Sequence, residues 1–113
     1  MFTPVIRFGE LEIDILHRQV RVDGRDLHLT PLGLSLLYLL AANAERVVTR
    51  DEILDHLRGG DYAAESNVVD RQVRKLRAKL GDDWRRPRYI ATIPGKGYQF
   101  VLIGAVDGMT KSS

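Results

Sequence analysis

Cysteine is absent from the 113 residues, which removes disulfides, thiolate metal sites and a cysteine nucleophile in one step. Long apolar runs are missing too. No stretch approaches the roughly 18 residues of a membrane span, and the N-terminus lacks a basic-then-apolar leader, so no membrane partner is expected and the cytoplasm is the default compartment. Aromatics make up only 7% of the chain, with a single Trp, which argues against a surface that stacks single-stranded bases. Lysine is absent from residues 1–70. There, seven Arg face twelve Asp and Glu, a balance of −5, whereas residues 71–100 set nine Lys and Arg against Asp82 and Asp83, a balance of +7. The formal net charge of +2 hides this asymmetry. A basic half of this kind is the footprint of a domain that shows one face to a polyanion.

What is present is an ordinary globular composition, 44% hydrophobic and 28% charged, in a length that supports one domain with a modest core. The boundaries expected are a domain over 1–104 and a small, polar tail over 105–113. Period-two alternation at Leu11, Ile13 and Ile15, at Val20 and Val22, and at Leu27 and Leu29 predicts half-buried strands of an antiparallel sheet, with Asp23-Gly24 as a tight turn. Thr30-Pro31 opens a helix as N-cap and first-turn proline, and "LGLSLLYLLAANA" makes it a core helix. A second helix starts at "TRDEILDHL". Thr49 and Glu52 have capping-box spacing, and Ile53, Leu54 and Leu57 form its apolar stripe. Asp51, Glu52 and Asp55 suit the positive end of that helix better than catalysis. "RGGDYAAE" reads as a loop.

A third helix is predicted over 66–80, "SNVVDRQVRKLRAKL". At about 100° per residue, Val69, Val73, Leu76 and Leu80 form a narrow stripe, while Asn67, Arg71, Arg74, Lys75 and Ala78 lie opposite. Val68 is marginal, and Arg77 and Lys79 flank the stripe. A solvated face mixes charge signs at i, i+4, yet Asp70 is the only acid here. "GDDWRRPR" adds Arg85, Arg86 and Arg88, and "YIATIPGKGYQFVL" predicts a hairpin whose tip, Pro94-Gly95-Lys96-Gly97, is basic. Its "GKG" lacks the spacing and the context of a phosphate loop. His17, His28 and His56 have no ligand spacing, so neither an enzyme nor a metal site is expected, and no cofactor. The predicted class is α+β, a winged helix-turn-helix with an N-terminal antiparallel sheet, three helices and a C-terminal β-hairpin wing.

From Leu29 to Phe100, "LTPLGLSLLYLL", "RVVTRDEILDHL", "VVDRQVRKLRAKLGDD" and "RRPRYIATIPGKGYQF" resemble the OmpR/PhoB-type DNA-binding domain of two-component response regulators. The resemblance implies a four-stranded N-terminal sheet, transcription control, and double-stranded DNA with direct repeats bound by tandem protomers. It makes 66–80 the recognition helix, with Val68, Gln72 and Lys75 at base-facing positions and Arg74 and Arg77 at phosphate-contacting ones. Arg71, central on the exposed face, is an expected additional contact, and Thr92 matches a wing position that approaches DNA. The 58–65 loop matches a segment that contacts RNA polymerase in some members. Three departures stand out. Gly33 replaces the Glu of a first capping box, Arg58 replaces a Trp, and Pro94 replaces a minor-groove Arg, so Lys96 is left as the charge of the wing tip. No receiver domain precedes these residues, and the expectation is an effector domain excised from a longer regulator, the alternative being a protein that works without phosphorylation. The competing reading is a winged-helix module that binds an acidic protein surface.

Overall fold

A computed structural model describes residues 5–58 and 67–101. The chain opens with four short strands, β1 (Val5–Phe8), β2 (Leu11–Asp14), β3 (Gln19–Val22) and β4 (Arg25–Leu27), which pair in sequence order as an antiparallel sheet. Leu11 and Ile13 lie opposite Val22 and Val20, and all four are buried, so the alternation fixes which face meets the core. The β3–β4 turn is Asp23-Gly24, with φ of 53° and 78°; two successive positive φ values define the turn whose twist suits a two-residue hairpin. Strand lengths differ from expectation, since Ile15 and Leu29 lie beyond the ends of β2 and β4.

Helix α1 (Pro31–Ala42) starts where Thr30 Oγ1 accepts the Gly33 amide at 3.1 Å, and its Leu36, Leu37 and Leu40 are wholly buried. A strand not anticipated, β5 (Val47–Thr49), precedes α2 (Arg50–Arg58). The capping box at the start of α2 is reciprocal: the Thr49 amide donates to Glu52 at 2.9 Å, and the Glu52 amide to Thr49 Oγ1 at 3.1 Å. Helix α3 spans Val68–Leu80, and β6 (Ile90–Ile93) and β7 (Gly97–Phe100) form the hairpin. β7 is the centre of a second antiparallel sheet, ordered β5-β7-β6. The loop expected over 58–65, apart from the Arg58 backbone, and the tail over 105–113 lie outside the described residues.

Gly97 explains how β5 reaches the hairpin. It belongs to β7 rather than to the tip, and a Cβ there would sit 2.1 Å from the Val48 carbonyl oxygen, so only glycine permits this strand approach. The Phe8 and Phe100 rings, 4.8 Å apart, bring the two sheets onto one core.

Candidate nucleic-acid interface

Helix α3 is the element to which most of the predicted residues belong. Val69, Val73, Leu76 and Leu80 are buried, as the stripe requires, while Asn67, Arg71, Arg74 and Lys75 are exposed. Among the described residues Arg71, Arg74, Lys75 and Lys79 make no ion pair. Among the described residues Arg71 bonds only sideways, to Asn67 Oδ1 at 3.1 Å, a neutral partner. Asn67 stands at the helix cap without a capping hydrogen bond from its side chain.

Two residues assigned to base contact do not reach that face. Val68 is 4% exposed and Gln72 is 9% exposed. Helix α3 packs against both α1 and α2, so its covered arc is wider than one apolar stripe and takes in these flanking positions. Gln72 lines a cleft of about 320 Å³ between α3 and the start of α1, together with Lys75, Lys79 and Gly33.

The wing is joined to α3 by polar contacts that sequence patterning did not reveal. Arg77, half-buried, turns inward and donates to the Ile90 carbonyl at 2.9 Å and to Thr92 Oγ1 at 2.7 Å. Burial lowers its pKa from the usual arginine value, and its Nε has no hydrogen-bond partner among the described residues. The expected phosphate contact at Arg77 and the expected wing contact at Thr92 are thus bonded to each other. At the hydroxyl of Tyr98, Asp70 accepts the Tyr98 O–H and the Arg50 Nε–H, the latter at 3.1 Å. The Tyr98 hydrogen bond is the main cause that holds the Asp70 carboxyl below its ordinary pKa, with Arg50 adding to it. Arg50 and Arg77 lie 5.5 and 5.6 Å from the Tyr98 ring centre, one from α2 and one from α3. The single acid of α3 is therefore a structural tie.

The wing tip turns through Pro94 and Gly95, closed by the Lys96 amide donating to the Ile93 carbonyl at 3.0 Å, and Lys96 is exposed. The Arg50 amide donates to the Lys96 carbonyl at 3.3 Å, which fixes the tip against the start of α2. Ahead of the wing, Asp82 accepts the backbone N–H groups of Arg88, Tyr89 and Ile90 at 2.6 to 3.1 Å and so shapes the approach to β6. Arg88 is withdrawn from the basic surface by a two-pronged bond to Asp23 at 3.0 and 3.3 Å. The three histidines are exposed: His17 meets Asp14 at 2.8 Å and His56 meets Ser35 at 2.7 Å. No cluster of three metal-ligating side chains occurs among the described residues, and none of their helices is long and apolar enough to cross a membrane. The polymerase contact implied for 58–65 falls outside the described residues apart from the Arg58 backbone.

A basic helix face beside a wing has counterparts of known structure. The RstA DNA-binding domain of Klebsiella pneumoniae, solved in complex with the RstA box, superposes with a TM-score of 0.78 at 37% identity, covering 86% of this chain and 96% of that one. The Thermotoga maritima response regulator DrrB, an OmpR/PhoB homolog, gives a TM-score of 0.77 at 37% identity over 86% of this chain and 44% of its own. The transcriptional regulatory protein KdpE of Mycobacterium tuberculosis is 36% identical over 97 residues, 86% of this chain and 43% of KdpE. The chain thus spans less than half the length of such curated relatives. Residues 24–100 match the family described as "Transcriptional regulatory protein, C terminal", and the chain belongs to that family of OmpR/PhoB-type winged-helix domains.

Proposed function

We propose that this chain binds double-stranded DNA sequence-specifically to control transcription, as the effector domain of a response regulator. One observation carries the reading: α3 presents Arg71, Arg74 and Lys75 on an exposed face without an ion pair among the described residues, beside a wing tied to that helix. The major groove, about 12 Å wide, admits one helix, and a guanidinium or ammonium meets either a guanine edge or a phosphate there. In this arrangement Arg71 and Lys75 face base edges, Asn67 and Arg74 meet the flanking strand, and Lys96 adds charge from the wing. Val68 and Gln72 shape the helix from beneath. Arg77 sets the wing angle through Thr92. Protomers occupy direct repeats in tandem, each a monomer before it meets DNA, and the cytoplasm is the site of action. The rival reading, in which this face binds an acidic protein surface, would leave labelled duplex unbound at every salt concentration.

The test is fluorescence anisotropy of labelled duplexes across a salt series. Three to five phosphate contacts give a log–log slope of about −3 to −5 per protomer. A slope near zero, or no binding at low salt, would sink the reading. Sedimentation without DNA should show a monomer.

A further inference from the structure

The turn between α3 and the wing holds the single Trp of the chain, and Trp84 is 62% exposed. Exposing an indole costs hydrophobic free energy, so its display calls for an account. The turn is built to hold it out: the Arg85 amide donates to Asp83 Oδ1 at 3.0 Å, and the Arg86 amide to the Asp83 carbonyl at 3.0 Å. Arg85 lies 5.6 Å from the indole ring centre.

Position gives the display a partner. Trp84 shares a trough of about 400 Å³ with Arg74, Arg77 and Ala78 and with the carboxylates of Asp70, Asp82 and Asp83. Arg74 and Ala78 are on the exposed face of α3. A helix seated in a groove is flanked by the phosphate strands that form the groove walls, so the strand on the wing side runs along this trough. The carboxylates nearby do not oppose it fully. Asp82 is engaged by backbone N–H groups, Asp70 by Arg50 and Tyr98, and Asp83 by the Arg85 amide.

We propose that the Asp83–Arg86 turn, with Trp84 at its crest, is a further DNA-contacting element that grips the sugar–phosphate strand beside α3. The inference rests on the DNA-binding reading above. The indole packs its ring on deoxyribose and offers one N–H to a phosphate oxygen, while Arg85 and Arg86 supply charge. The contact is to backbone, so it adds affinity on every sequence alike.

Because Trp84 is the only Trp, its emission reports the site directly. Labelled duplex is titrated with the chain while anisotropy and Trp emission are followed together, with acrylamide quenching measured free and bound. Emission should change with the same midpoint as anisotropy, and quenching should fall on binding. Trp84→Ala should weaken binding about three- to tenfold on specific and random duplexes alike, the range of one ordinary polar contact, with an unchanged salt slope. Arg85→Ala should reduce that slope by about one. Thermal melting of both variants checks that the fold is kept. Normal anisotropy with unmoved emission and quenching, and full affinity in Trp84→Ala, overturns the turn contact and leaves DNA binding standing. No anisotropy change for the unaltered chain overturns both.

Discussion

The two antiparallel sheets are built from strands of three or four residues and tight turns, yet they treat charge in opposite ways. In the N-terminal sheet, cations meet carboxylates directly across the ladder. Arg7 is the register partner of Glu12 and bonds it at 3.0 Å, and Arg21 is the partner of Asp26 and bonds it at 2.8 Å. In the hairpin sheet the facing pairs Ala91–Gln99 and Thr92–Tyr98 are uncharged, and the cations stand on the tip and on the neighbouring helix. The first sheet thus holds two of its three strand arginines in pairs within itself, Arg25 on β4 making none among the described residues. The second region leaves positive charge facing outward, and that separates a scaffold from a surface made for an anion.

The sharpest way to break the comparison is to make the same substitution in each sheet. Gly97→Ala places a Cβ against the Val48 carbonyl, where backbone must move, and should cost about 3 kcal/mol in chemical denaturation. Gly24→Ala finds open space around its Cβ and has only its φ of 78° to oppose it, so about 1 to 2 kcal/mol is expected. Equal losses would mean that the β5–β7 approach is not as tight as the structure has it.

Next in size are the effects on reading. Arg71→Ala and Lys75→Ala should relax preference at particular base pairs by about 1 to 3 kcal/mol, while Lys96→Ala should weaken all sequences alike and lower the salt slope by about one. Selection from a randomised duplex pool with each variant checks this. If Lys96→Ala alone altered the selected sequence, the wing rather than α3 would be the reader.

How far the sequence reveals this division depends on the range of the interactions. The α3 stripe and the Thr49–Glu52 capping box depend on residues within one or two helical turns, and both are seen in the fold. β5 escapes notice because three residues give no usable alternation and its partner lies some fifty positions away. The base-facing positions of Val68 and Gln72 follow from the family resemblance alone, and neither that correspondence nor a helical wheel shows that a second helix covers the flank. Arg77 and Arg88 look like surface cations until folding brings Thr92 and Asp23 to them; no local pattern announces a bond across 65 residues. The isolated acid at Asp70 was the one visible hint of the wing tie.

That tie gives an acid-dependent prediction. Asp70 has its carboxyl pKa depressed below 3.8, first by the Tyr98 hydroxyl and then by Arg50. A depressed carboxyl contributes stability that is present above the unfolded value and is lost as pH falls through the folded one. Asp70→Asn should cost about 1 kcal/mol at neutral pH, a figure kept small because the Asp70 side chain is 45% exposed and screened. Urea melts at pH 7 and below pH 4 should show the gap between variant and unaltered chain closing in acid. A constant gap would remove the ionised carboxylate from the account.

The smallest effect is expected where charge is already neutralised. Arg21 and Asp26 face each other on β3 and β4 with side chains 56% and 64% exposed, so water screens the pair and both side chains lose rotamer freedom in forming it. Arg21→Gln should therefore leave the denaturation midpoint almost unchanged, and it removes a positive charge just as Lys96→Ala does. If loss of charge alone governed DNA affinity, the two variants would share a salt slope. If position governs it, Arg21→Gln keeps the slope of the unaltered chain, because its charge is held by Asp26 across the ladder and releases no counterion from the duplex. Parallel salt series for the two variants decide between these outcomes. A reduced slope in Arg21→Gln would show that the N-terminal sheet also lies against the duplex.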